Sequence, residues 1–108
     1  MQSIDEINRV LAFRALKKSS IRKRILEYLM EIDPRWSYVS EIAYNIRSTP
    51  TNVIGAIKGM GDRYSERDSL LCLNLVEKTE NGNNIKLYKI SELGKEIVKE
   101  LRNGKMLS

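Results

Sequence analysis

The stretch from Val39 to Met60 reads VSEIAYNIRSTPTNVIGAIKGM, and it predicts two short helices joined by a tight turn. Ser40 is suited to cap a helix over EIAYNI, residues 41–46. Thr49 is suited to cap a second helix that runs to about Met60, because Pro50 then takes the first helical position, where its missing N–H costs nothing. The apolar residues expected to face inward on this second helix are Val53, Ala56 or Ile57, and Met60.

Two glycines in the second helix need an explanation. Gly55 and Gly59 are four residues apart, so on a helix they share one face. Each costs roughly 1 kcal/mol relative to alanine. A face without side chains lets another backbone or a ligand approach closely. Three interpretations remain open: close approach of DNA, packing by a neighbouring segment or helix, or no special role.

The chain before this stretch predicts two further helices and a short strand. Ser3 and Glu6 form a capping box for an amphipathic helix over residues 4–18. Ser19 and Ser20 break that helix and start a second one, which Asp33-Pro34 ends. The stretch RWSYV indicates a small strand at about residues 36–39.

The chain after it predicts a short helix, a hairpin and a final helix. Gly61-Asp62 stops the helix before it, and ERDSLLCL, residues 66–73, is expected to form one more short helix. Asn74 follows this helix, and asparagine tolerates the left-handed backbone conformation with which a chain leaves a helix. Alternating residues predict strands over 75–79 and 85–90, joined by ENGNN. Ser91 caps the last helix, which ends at Asn103-Gly104.

The bulk composition indicates one globular domain over residues 1–108. Hydrophobic residues make up 42% of the 108 residues and charged residues 31%, which argues against disorder. No apolar run approaches the ~20 residues of a membrane helix. The N-terminus does not have the form of a secretory signal. We therefore expect a cytoplasmic protein with no membrane partner.

The residue types available argue against catalysis. The chain has no histidine and one cysteine, Cys72, which we expect to be a small buried residue in SLLCLNLV. A Cys/His metal site and the common nucleophile pairs are therefore absent, and we expect no metal, no cofactor and no enzyme activity. The acidic cluster of Asp62, Glu66 and Asp68 beside Tyr64 is more simply interpreted as a capped, solvated turn.

The charge favours an anionic partner. The net charge is +5, and residues 1–60 carry most of the excess, with ten Lys and Arg against six Asp and Glu. Nucleic acid is the first candidate for such a partner. The stretch from Arg14 to Arg24 holds six basic residues and no acid. It either touches flanking phosphate or forms a solvated face, and we favour the solvated face.

The order of these elements from Ser20 onward resembles that of a winged helix-turn-helix domain. VSEIAYNI and STPTNVIGAIKGM resemble its helix-turn-helix, LCLNLVEK the segment that enters the wing, and LYKISELGKEIV the return strand and last helix. The resemblance covers residues 20–103, with residues 1–19 as an added N-terminal helix, and is greatest to small archaeal transcription regulators. Three features depart from the pattern: Asn74 replaces the wing-entry glycine, residues 62–71 are inserted, and the recognition helix carries few basic residues.

The resemblance implies a mainly helical α+β fold and a function in binding double-stranded DNA. The recognition helix would enter the major groove, and the wing, at about residues 75–90, would meet the adjacent groove or backbone. The residues placed at DNA by this resemblance are Arg47, Thr49, Thr51, Asn52, Gly55, Lys58, Arg63, Asn83 and Lys86. Thr51 suits a phosphate or a thymine methyl, Asn52 adenine, and Lys58 phosphate.

Two further hypotheses concern partners. A homodimer through the N-terminal or C-terminal helix would match two-fold DNA sites. The alternative function is that of a winged-helix adaptor that binds other proteins, which the arginine-poor recognition helix also suits. The aromatic side chains of Trp36, Tyr38 and Tyr44 either line an effector pocket or belong to the core, and we favour the core.

Overall fold

The computed structural model describes residues 4–60 and 65–104, which form five helices and a two-stranded antiparallel sheet. In chain order the elements are α1 (Ile4–Lys18), α2 (Ser20–Ile32), α3 (Val39–Asn45), α4 (Pro50–Lys58), β1 (Val76–Glu80), β2 (Lys86–Ile90) and α5 (Glu92–Arg102). Helices α3 and α4 form the helix-turn-helix, and β1 and β2 form the wing. The predicted fold class, a mainly helical winged helix-turn-helix with an extra N-terminal helix, is confirmed.

Three of the predicted helix caps are confirmed by hydrogen bonds. The hydroxyls of Ser19, Thr49 and Ser91 each accept from the backbone N–H three residues later, at 3.3, 3.1 and 2.9 Å. These bonds satisfy N–H groups that have no partner inside the helix. The capping box at Ser3 lies outside the described residues.

The start of α3 differs from the prediction. The helix begins at Val39, and Tyr38 is its N-cap without a side-chain hydrogen bond, so the prediction of Ser40 as the cap is wrong. The hydroxyl of Ser37 instead donates to a carboxylate oxygen of Glu41 at 2.5 Å. The predicted strand at 36–39 is reduced to one bridge, in which Ser37 and Tyr88 exchange backbone hydrogen bonds of 2.8 and 2.7 Å.

Residues 65–74, here called the docked segment, form turns where the sequence predicts a helix. The N–H groups of Leu70 and Leu71 donate to the carbonyls of Ala56 and Ile57 in the last turn of α4, at 3.0 and 2.9 Å. The segment therefore satisfies the free carbonyls of α4 and cannot use these amides for a helix of its own. The prediction of a buried Cys72 is also wrong, because this residue is exposed.

The hairpin follows the predicted pattern, with strand bounds shifted by about one residue. Val76 pairs with Ile90, and the register runs out to Glu80 opposite Lys86. In the turn, the Asn81 side-chain oxygen accepts from two backbone N–H groups. Asn74 has a φ of 63°, which confirms the left-handed exit predicted there.

The core lies between the helices and the base of the hairpin. Its largest fully buried side chains are Leu16, Ile25, Leu26, Leu29, Ile42, Ile57, Leu70, Leu75, Ile90 and Ile97. Gly94 lets α5 reach this core, since a Cβ there would meet the backbone oxygen of Leu75 and lie 2.7 Å from a side-chain carbon of Ile90. The close packing around Gly94 therefore leaves no room for an added Cβ.

The aromatic residues near α3 are not core residues. Tyr44 is 80% exposed and Tyr38 45% exposed, so the prediction that they are buried is wrong. Trp36 is half-buried and lies beneath the ammonium group of Lys89, 5.0 Å from the ring centre. This distance is within the range of a cation–π contact.

Candidate nucleic-acid interface

Helix α4 presents one side to the core and the opposite side outward. Its buried residues include Val53, Ala56 and Ile57. Thr51, Ile54 and Lys58 follow at helical spacing on the other side, and we call these three residues the α4 outer face. Thr51 and Lys58 are exposed and Ile54 is half-buried. The predictions from sequence placed Ile54 neither among the inward residues of this helix nor among the residues at DNA.

The glycine side of α4 does not point outward. Gly55 is buried, so the prediction that it faces a ligand is wrong. Gly59 is the C-cap of α4 with a φ of 86°, and a Cβ there would lie 2.5 Å from Glu66 Cα and 2.8 Å from Glu66 N. At Gly59 the close approach is therefore made by the docked segment. Met60, predicted to face inward, is 41% exposed.

Asn52 is less available than its sequence position indicates. It is half-buried, and its side-chain nitrogen donates to the hydroxyl of Ser48 at 3.4 Å. A bidentate contact to adenine uses both ends of the amide. The bond to Ser48 uses one of the two N–H groups of the amide, so it holds the side chain toward the turn without by itself preventing a contact to a base.

The turn before α4 places a cation and a cap at the surface. Arg47 is exposed and has a φ of 57°, which makes it the left-handed residue of the turn. The next N–H, of Ser48, donates back to the carbonyl of Ala43 at 2.9 Å. Thr49 is also exposed. Arg63 lies outside the described residues.

An open groove of about 390 Å³ runs between α4 and the wing. Its lining residues are Tyr38, Val39, Ser40, Pro50, Ile54, Lys58, Asn84, Ile85, Lys86 and Tyr88. One lysine comes from each side, Lys58 from α4 and Lys86 from β2, and the described lining contains no carboxylate. The predictions from sequence assigned Ile85 to a strand and did not place it among the site residues. In the structure Ile85 is 46% exposed and lines this groove.

The charged side chains that line this groove are the two lysines, while the carboxylate of Glu80 lies nearby. Burial raises the pKa of Tyr88, and the nearby carboxylate of Glu80 raises it further. The phenol of Tyr88 therefore stays neutral at pH 7 and adds only apolar and polar surface. The groove as a whole suits an anionic backbone with apolar sugars.

The wing tip exposes Asn83, while Asn81 holds the turn. The Asn81 side-chain oxygen accepts from the N–H groups of Asn83 and Ile85, at 2.9 and 3.1 Å. Asn84 takes the left-handed conformation with a φ of 63°. The side chain of Asn83 is exposed at this tip, and the hydrogen bonds that hold the turn are made by the side chain of Asn81.

The basic run from Arg14 to Arg24 does not form one surface. Arg22 is buried and donates to the carbonyl of Ala15 at 3.2 Å, and Arg24 donates to the carbonyl of Ile46. Lys18 pairs with Asp68 of the docked segment at 3.6 Å. Part of the run therefore holds the helices together, while Arg14 and Lys17 remain exposed.

Residues 4–60 and 65–104 contain neither a metal-binding cluster nor a helix suited to cross a membrane. No group of three or more His, Cys, Asp and Glu side chains there is arranged to hold a metal ion. Among the helices of these same ranges, none has both the length and the apolar character needed to cross a membrane.

Comparison with solved structures finds the same fold at low sequence identity. A mutant of ZitR from Lactococcus lactis matches with a TM-score of 0.51 and 18% identity, over 79% of this chain and 54% of that chain. This chain thus spans about half the length of that ZitR chain. An apo form of the mutant matches with a TM-score of 0.52 and 17% identity, over 99% of this chain and 76% of that one.

Comparison of sequences places the chain in a family. It is 44% identical over 93 residues to the uncharacterised protein MJ0905 of the archaeon Methanocaldococcus jannaschii, and the match covers 86% of this chain and 83% of that protein. The family model described as EarA-like matches residues 12–101. The chain therefore belongs to the EarA-like family.

Proposed function

We propose that this protein is a DNA-binding transcription regulator that acts by occupying its site, without chemistry. Helix α4 enters the major groove, and the wing meets the adjacent groove or backbone. The observation that carries this proposal is the groove between them, which has Lys58 on one side, Lys86 on the other and no carboxylate in its described lining. Such a groove suits a phosphate backbone.

Helix α4 makes the major-groove contacts through its outer face. The N-terminal part of a recognition helix lies nearest the bases. Thr51 stands there and is exposed, with a hydroxyl and a methyl group to offer. Lys58, in the last turn, binds phosphate. Asn52 reads adenine with its amide, whose bond to Ser48 uses one of its two N–H groups, and Gly55 contributes nothing because it is buried.

The wing and the turn add contacts to the backbone. Asn83 stands exposed at the wing tip, where its amide can donate and accept in the minor groove. Lys86 neutralises a phosphate beside it. Arg47 and the Thr49 end of α4 flank the major groove, and the exposed N–H groups of a helix start also bind phosphate. The contacts are thus mainly to phosphate and shape, with few to bases.

We further propose that the regulator is a homodimer through α1. Ile7, Val10 and Leu11 lie on one side of α1 and are 45%, 49% and 38% exposed, whereas Arg9, on another side, pairs with Glu96 and Glu100 of α5. Apolar residues at this spacing form a contiguous patch, which we call the α1 stripe. The inward residues of α5, including Ile97 and Val98, are already buried. Of the two terminal helices, α1 is therefore the better interface.

Charge favours a second copy as the occupant of the α1 stripe. Helix α1 carries Glu6 in its first turn and Lys17 and Lys18 in its last turn. Two α1 helices packed antiparallel would place acidic ends beside basic ends and oppose their dipoles. Such a dimer presents two copies of α4 to a two-fold DNA site.

The function is tested by binding the purified protein to a fluorescent random-sequence duplex at several salt concentrations. Each phosphate contact adds a slope of about −0.9 to the plot of log K against log salt concentration. We expect a slope of roughly −2 or steeper, since Lys58 and Lys86 each neutralise one phosphate. Absence of binding at about 50 mM salt, where phosphate contacts are strongest, would favour the protein-adaptor alternative.

A further inference from the structure

We propose that α4 selects thymine by contact with its C5-methyl group, and that Ile54 makes this contact. The inference rests on the proposed DNA-binding function and adds the base that the helix recognises. It follows from the chemistry of the α4 outer face, whose middle residue is aliphatic.

Ile54 is positioned for an apolar contact with a base. It lies one turn after Thr51 and one turn before Lys58, and it lines the groove between α4 and the wing. The residue is half-buried, so part of its side chain is open on this face. An aliphatic side chain cannot hydrogen-bond. Among the major-groove edges of the four bases, thymine alone carries a methyl group.

Few residues of α4 can read a base through hydrogen bonds. The helix reads PTNVIGAIK and contains no Arg, Gln, Asp or Glu. The amide of Asn52 donates to Ser48. Lys58 is in the last turn, while base contacts come from the N-terminal part of a recognition helix. Discrimination by α4 therefore depends on apolar contact more than on hydrogen bonds.

Thr51 extends the methyl-bearing surface toward the start of α4. It is exposed and stands three residues before Ile54, so the two methyl-bearing side chains lie along the same side of the helix. Burying one methyl group changes an affinity about fourfold. Loss of a single thymine methyl at the contact is therefore expected to weaken binding about fourfold.

The experiment removes the methyl group from the DNA and the side chain from the protein. Duplexes are selected from a random library with the full chain, and each thymine of a selected duplex is then replaced by deoxyuridine. Wild type, Ile54→Ala and the control Ile85→Ala are titrated with each duplex. The control is the same substitution in the same groove, but on the wing side.

We expect wild type to bind at least one deoxyuridine duplex about fourfold more weakly. Ile54→Ala should bind the thymine duplex about as weakly as wild type binds the deoxyuridine duplex, and it should lose no further affinity when that thymine is replaced. Ile85→Ala should keep the wild-type difference in affinity between the thymine and deoxyuridine duplexes. The wild-type measurement does not depend on how a variant folds, and circular dichroism verifies both variants.

Three outcomes would overturn the inference. Wild type binds every deoxyuridine duplex as tightly as the thymine duplex, or Ile54→Ala loses as much affinity as wild type when thymine is replaced. In the third outcome, duplexes bind with a steep salt slope but the selection enriches no sequence. In each of them the proposed DNA-binding function still stands. Failure to bind any duplex at low salt is the different result that removes the proposed function itself.

Discussion

Gly59 ends α4 in a backbone conformation that residues with side chains rarely adopt. Its φ is 86°, and the backbone of Glu66 occupies the place where a Cβ would project. Both conditions favour glycine, the first through local sterics and the second through packing. At the scale of one residue, α4 and the docked segment are thus joined at a point that tolerates no side chain.

Substitution of Gly59 by alanine is expected to lower the free energy of unfolding by about 2 kcal/mol, since strain and a clash with backbone add together. Urea denaturation measures this change in the free energy of unfolding. Gly82→Ala is the control, because Gly82 has nothing within 4 Å of an added Cβ, and its change should stay within about 0.5 kcal/mol. Equal stability of the two variants would contradict this account of Gly59.

At the scale of the element, α4 is fixed at both ends by different means. Its start is local: Thr49 accepts the N–H of Asn52 at 3.1 Å, and Pro50 follows as the first helical residue. Its end is not local, because Leu70 and Leu71 of the docked segment donate to its last carbonyls. The outer face between these ends is therefore held in one orientation beside the wing.

Thr49→Ala is expected to cost about 1 kcal/mol of stability, because an orphan N–H of α4 loses its cap. Thr49→Ser should retain most of the wild-type value, since it keeps the hydroxyl. Thermal or urea unfolding measures all three proteins. If alanine and serine variants unfold together, the cap does not stabilise α4 in the way the hydrogen bond indicates.

The elements with local signals were predictable, and those that depend on distant contacts were not. The sequence predicts the helix starts at Ser19, Thr49 and Ser91 because a cap acts within three residues. The docked segment carries a helix pattern, yet its amides bond to α4, which no short window of sequence reveals. For the same reason the orientation of α4, with Ile54 outward and Gly55 covered, needed the structure.

At the scale of the whole molecule, one helix carries apolar residues on more than one side. Ala12, Ala15 and Leu16 of α1 are buried in the core, while the α1 stripe remains open. A helix apolar on several sides is usually buried on them. The resemblance of local segments predicted the winged helix from residue 20 onward. No local sequence pattern identifies the surface that packs against the α1 stripe.

Val10→Glu is expected to convert a dimer into a monomer, because it puts a carboxylate in the middle of the proposed apolar contact. Light scattering should give wild type twice the chain mass of 12.5 kDa and the variant that mass alone. Tyr44→Glu is the control, an equally charged change at a residue 80% exposed on α3. A monomeric wild type, or a dimeric Val10→Glu, would contradict the assignment of the interface.

We propose that the α4 outer face binds DNA, and a comparison of two lysines tests this proposal. Lys58 and Lys99 are both exposed and both in the last turn of a helix, but Lys99 belongs to α5. Replacing each by alanine removes the same charge. We expect Lys58→Ala to weaken duplex binding and to make the salt slope shallower by about 0.9 for each α4 bound, about 1.8 for the dimer, while Lys99→Ala leaves both unchanged. Equal losses in the two variants, or a loss confined to Lys99→Ala, would contradict the proposal.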